Sequence, residues 1–163
     1  MILGVYPTTD LADAYAIELP SSATEDPETL ARFVFSQKSA VVAGLLAIRD
    51  ALVGIFGIKT TRQLKSHERE DKSTRVGMFR IYSSGRSEIV LGEDDKHLDF
   101  RLSLMCCNQS QNTRRVVLST VVHCHSRLGH IYIRLISPFH RVIVKSALRR
   151  AARMGWPQEA PSP

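Results

Sequence analysis

Hydrophobic and polar positions alternate with two different periods along this chain. Residues 14–19 (AYAIEL) are short and apolar with one acid, the pattern of a first strand. SSATEDPETL follows. Asp26 stands just before Pro27, so its carboxylate is placed to accept from orphan helix N–H groups while proline takes the first helical position. Leu30, Phe33 and Val34 then recur at helical spacing. A second helix is predicted over 40–56, with Val42, Leu45, Leu46, Leu52, Val53 and Phe56 as its buried stripe and Gly57 as its stop. Residues 59–75 are almost wholly polar and carry both signs, which reads as a solvated loop.

From Val76 the period becomes two. VGMFRIYS is predicted as one strand, Ser84 to Ser87 as a turn, and EIVLG as the returning strand. In the strand His97–Cys107, Leu98, Phe100, Leu102, Leu104 and Cys106 share one face; His97, Asp99, Arg101, Ser103, Met105 and Cys107 share the other. NQSQNT is a polar turn, and Arg115–His125 a valine-rich strand. Residues 128–137 alternate enough to open as a strand, but Ile131, Leu135, Phe139, Val142 and Leu148 hold helical spacing. A long helix bent near Pro138 is therefore expected, with those residues on its buried side and Arg141, Lys145, Arg149 and Arg153 opposite. The expected class is α+β: an antiparallel sheet between two N-terminal helices and one long C-terminal helix, a single domain over 1–156 with a disordered tail over 157–163.

Composition narrows this picture. At 163 residues with 44% hydrophobic content the chain can bury a core without disulfides, and three cysteines (Cys106, Cys107, Cys124) form no framework. No signal peptide pattern opens the sequence, so a cytoplasmic protein is expected. The most apolar stretch, 40–58, has Arg49 and Asp50 at its centre, which disfavours a bilayer span. A net charge of +6 favours acidic partners without naming one.

The strings LLAIRDALVGIFGIKT, GMFRIYSSGRSEIVLGEDDKHLDFRLS, LSTVVHCHSRLGHIYI and SPFHRVIVKSALRR resemble a bacterial family known as domain of unknown function 2867. The resemblance covers residues 14–153, and DDKHLDFR and PFHR are its most specific parts. It implies the helix-grip fold of the START and polyketide-cyclase-like superfamily, in which a curved sheet wraps around the last helix and encloses a cavity. Related domains are fused behind a dinucleotide-binding dehydrogenase-like domain. No G-x-G-x-x-G follows a strand here, so no nicotinamide cofactor, or any other, is expected.

Several clusters carry candidate chemistry. His97, Asp99 and Arg101 project to one strand face as base, orienter and anion clamp, or else form an ion-paired row. His123 and His125 share a face that His97 can approach; with Asp99 they match a metal site in type, but H-x-H is a weak signal and no metal is expected. Phe139 and His140 sit beside the proline, with His140 either meeting a ligand or satisfying the carbonyl that the proline frees. Cys106 and Cys107 point to opposite faces, and Cys124 points away from its flanking histidines, which removes a Cys–His nucleophile.

Three functions remain open. The first is binding of a small apolar or aromatic molecule between sheet and C-terminal helix, lined by Phe100 and Leu102 or, in the opposite register, Asp99 and Arg101, with Phe139 and His140. The second is an enzyme acting on a polar or acidic substrate through His97, Asp99 and Arg101. The third is an interaction protein using the basic C-terminal helix face, where nucleic acid is not favoured for want of stacking aromatics. Ligand, reaction and oligomeric state are not readable from the residues.

Overall fold

Asp26 starts the first helix as its sequence position dictates: its Oδ2 accepts from the Thr29 amide at 2.9 Å, and Pro27 is the first residue of α1 (Pro27–Ser36). The computed structural model describes residues 2, 4–36, 74–110 and 113–158. The second predicted helix, over 40–56, and nearly all of the polar stretch 59–75 lie outside the described residues.

Before α1 runs β1 (Leu11–Leu19), and after the gap follow β2 (Arg75–Val76), β3 (Phe79–Ser84), β4 (Glu88–Asp94), β5 (Leu98–Ser110) and β6 (Thr113–Cys124). The chain closes with α2 (Arg127–Met154). VGMFRIYS is thus two elements rather than one strand. Gly77, at φ +58°, occupies the first position of the two-residue turn joining Val76 to its partner Phe79, a conformation that glycine enters without steric penalty.

All neighbouring strand pairs are antiparallel, and the sheet order is β1-β6-β5-β4-β3-β2. The first strand therefore lies beside the last, and Asp13 faces Thr120 across that ladder. Both described helices cover one sheet face. Leu30 and Val34 of α1, with Val144 and Leu148 of α2, pack on Leu102, Leu104, Val116 and Leu118. The period-two reading of β5 holds, and its inward side is the apolar one: Leu102 and Leu104 are buried there, whereas Asp99 and Arg101 face the other way.

The face assigned to the C-terminal helix needs correction. α2 is helical throughout with Pro138 inside it, but Ile131, Leu135 and Val142 are about half exposed. Of the expected stripe Leu148 is buried and Phe139 half-buried; the rest of the buried side is Gly129, Tyr132, Ile133, Val144 and Ala151. Small residues allow this face to sit close: a Cβ at Gly129 would collide with the backbone oxygen of His97. The four cations Arg141, Lys145, Arg149 and Arg153 are exposed as expected. Trp156 is buried; the Pro157 oxygen accepts from the Thr24 amide at 2.8 Å, and Gln158 bridges to Ala23.

Candidate functional site

Among the described residues of the sheet–helix layer, a polar cluster interrupts the apolar packing. Thr120 lies between Leu118 and Val122 along the inward side of β6, and His140 lies between Ile133 and Val144 along the buried side of α2. Leu118 and Val144 belong to the main apolar cluster; Val122 and Ile133 belong to a smaller second one. The polar residues therefore sit at the seam between the two.

The geometry is that of a carboxylate facing an imidazole. His140 Nε2 lies 3.1 Å from Thr120 Oγ1 and 3.5 Å from Asp13 Oδ1. The Tyr15 hydroxyl donates to Asp13 Oδ2 at 3.2 Å. The Asp13 and His140 side chains are 15% and 20% exposed, so the pair is shielded but reachable. Asp13 Oδ1 is buried and turned toward the imidazole. Burial alone would raise the Asp13 carboxyl, but the hydrogen bond and charge of His140, with Tyr15 and Thr120, outweigh it and hold the group below its ordinary value. On the exposed side, Lys145 Nζ stands 5.2 Å from the centre of the Tyr15 ring. Phe139 is half-buried, one residue before His140.

His140 does not take the role of satisfying the carbonyl freed by Pro138. That oxygen, on Arg134, is approached by the Ser137 hydroxyl at 3.5 Å, and His140 turns toward the sheet.

The remaining residues singled out from the sequence occupy the opposite sheet face or its end, and they divide among separate partners. Arg101 donates to Asp94 Oδ1 at 2.7 Å and to the Phe100 oxygen at 2.9 Å. Its guanidinium carbon lies 3.6 Å from the Tyr82 ring centre and 5.5 Å from that of Tyr6. Burial first, and then the hydrogen bond to Asp94, pushes Tyr82 up to about 12; burial pushes Tyr6 up to about 12, so both remain neutral phenols beside the cation. Asp99 Oδ2 pairs with His125 Nε2 at 2.8 Å, and Oδ1 accepts from the Asp95 amide.

His123 stacks on Tyr6 and meets Thr8 Oγ1 at 3.0 Å. His123 and His125 do share a face, their ring centres 4.8 Å apart. His97 goes elsewhere: its Nδ1 is 3.0 Å from Ser126 Oγ, the cap of α2, and its Nε2 is buried without a partner. His97, Asp99 and Arg101 therefore do not converge on one point. Among the described residues no three histidine, cysteine, aspartate or glutamate side chains are set to hold a metal ion.

Of the expected residues, then, the structure places only His140 in a polar cluster between sheet and helix. Asp13, Tyr15 and Thr120 went unnoticed in the sequence. Asp13 falls just before the predicted start of β1, and its meeting with Thr120 depends on a pairing of residues more than a hundred positions apart.

A family model described as "Protein of unknown function (DUF2867)" matches residues 5–147. No curated protein and no solved structure matches the chain.

Proposed function

This chain belongs to the family of proteins of unknown function 2867, and from that premise we propose that it binds a small, mainly apolar or aromatic molecule carrying a hydrogen-bond donor. The site lies between the sheet and α2, at the seam marked by Asp13, Thr120 and His140. The observation that carries the reading is the shielded Asp13 carboxylate, which meets His140 beside Thr120 where two apolar clusters adjoin. An ionised carboxylate accepts at several lone-pair positions, so the imidazole and the Tyr15 hydroxyl leave acceptor capacity for a donor on a bound molecule. Apolar walls with a few converging polar groups are what small-molecule sites use.

The helix-grip assignment is part of the same proposal. A first strand beside the last, a meander and a long terminal helix on the sheet support it. Phe139 and the half-buried Phe100 are the aromatic wall in this reading; Asp99, Arg101 and His123 bind no ligand and brace the far side of the sheet.

The test begins with native mass spectrometry of the protein as purified, to detect and identify any retained molecule. It continues with titration of p-cresol, followed in every protein through the shifts of its own aromatic resonances and, where the residue is present, through the His140 imidazole resonances. The expected result is a saturable shift that Asp13→Asn and His140→Ala each weaken about ten-fold or more, the loss of one buried hydrogen bond to a charged group. Absence of any retained molecule, together with imidazole resonances that p-cresol leaves unmoved, overturns the proposal.

A further inference from the structure

The outward side of α2 combines two properties that a merely solvated helix does not need together. Leu128, Ile131, Leu135, Pro138 and Val142 follow one another at spacings of three and four, so they form one stripe, and all five are exposed. Arg127, Arg134 and Arg141 run beside that stripe, and Lys145, Arg149 and Arg153 continue it toward the helix C-terminus. All six cations are exposed, and the 28 residues of α2 contain no aspartate or glutamate. Among the described residues none of the six is held in an ion pair.

We propose that this face docks on an anionic lipid surface, the apolar stripe entering the headgroup boundary and the cations meeting lipid phosphates. An apolar strip flanked by lysine and arginine is the arrangement by which helices lie in a membrane interface. Two other occupants fit less well. A second copy joined about a two-fold axis brings this unbalanced positive face against itself. Nucleic acid uses the cations but leaves the leucine, isoleucine and valine side chains without a partner, and no aromatic ring stands among them to stack a base. The other side of α2 stays on the sheet throughout, so docking needs no unfolding. Among the described residues no helix is long and apolar enough to cross a membrane.

The experiment is co-sedimentation of the full chain with vesicles of phosphatidylcholine containing one quarter phosphatidylglycerol, beside vesicles of phosphatidylcholine alone. Binding is expected to the anionic vesicles, to weaken steeply as salt rises, and to fall about five-fold for each cation replaced by glutamine. The doubly substituted Ile131→Ser, Leu135→Ser protein is expected to lose most of the remaining binding. Both positions are exposed, and an unchanged circular dichroism spectrum and melting temperature verify the fold. Equal binding to both vesicles, no binding at low salt, or binding unaffected by Ile131→Ser with Leu135→Ser overturns the proposal. So does a dimer in sedimentation velocity that the same substitutions dissociate, since that assigns the stripe to a second copy.

Discussion

Gly92 and Arg101 face each other across the β4–β5 ladder, and the arginine side chain lies over the position where a Cβ on residue 92 would stand. That Cβ would collide with the Phe100 backbone oxygen and come within 2.9 Å of Arg101 Cδ. The absent side chain at 92 is what lets Arg101 lie along the sheet, reach Asp94 and stack on Tyr82.

Gly92→Ala is therefore expected to destabilise the protein by about 1–3 kcal/mol, the usual cost of forcing atoms into a packed interior, although alanine is no worse than glycine in a strand on conformational grounds. Urea unfolding of the variant measures this directly. A second reading separates clash from backbone effects. In Gly92→Ala combined with Arg101→Ala the side-chain part of the clash is gone, so the penalties of the two single changes are expected not to add. Strict additivity would show that Arg101 does not use the space over Gly92.

The elements most legible in the sequence are those whose partners are local. The alternation in β5 separated its two faces because a strand with one side on a core repeats at every second residue; the alternation alone does not say which face looks inward, and Leu102 and Leu104 are the ones buried. Asp26 and Pro27 marked the start of α1 because capping depends on three or four residues in sequence. The inward face of α2 was misread for the opposite reason. This helix is apolar on two sides, and the side that packs uses Gly129, Ala151 and the polar His140, which hydrophobicity underrates, while Ile131, Leu135 and Val142 attract attention from the exposed side.

The candidate site was legible only through His140. Asp13 carries no local mark at all. Its role follows from β1 pairing with β6, a contact fixed by the tertiary fold. The DDKHLDFR string was conspicuous by its density of charge, yet the sheet gives each of its chemically interesting side chains a different partner: Ser126 for His97, His125 for Asp99, and Asp94 with two tyrosines for Arg101.

Acid sensitivity provides a test of the Asp13–His140 pair. The folded-state value of the Asp13 carboxyl is below the ordinary 3.8. A group depressed in this way contributes stability that is present above its unfolded value and is lost as the pH falls through the folded one. Asp26, Glu88 and Asp94 are depressed as well and add a common background of the same sign. His140→Ala removes the contacts that most lower Asp13 and leaves burial to raise it. The expected outcome is that wild-type stability falls more between pH 5 and pH 3 than that of His140→Ala, with Asp13→Asn resembling the latter. Urea midpoints at the two pH values measure the difference, and a carboxyl carbon NMR titration of Asp13 assigns it. Parallel pH profiles for all three proteins would remove the pairing.

Thiol reactivity checks the register on which the whole site rests. Cys106 packs against the main apolar cluster and Cys124 belongs to the second. Burial, with the nearby Glu25 next in effect, pushes the Cys106 thiol up to about 11. Burial, followed by the charge of Asp10, pushes Cys124 up to about 11 as well. At pH 8 only about 0.1% of either is thiolate, against roughly a quarter for an ordinary cysteine near 8.5. Iodoacetamide at pH 8 is therefore expected to leave Cys106 and Cys124 unmodified in the folded protein over times that label both completely in urea, as read by peptide mass mapping. A slip of β5 by one residue would turn Cys106 outward and bring Cys107 in, and would carry Asp99 and Arg101 to the helix side with it. Rapid native labelling of Cys106 would signal that exchange, and the polar lining of the ligand site would then have to be sought on β5 rather than at Asp13 and Thr120.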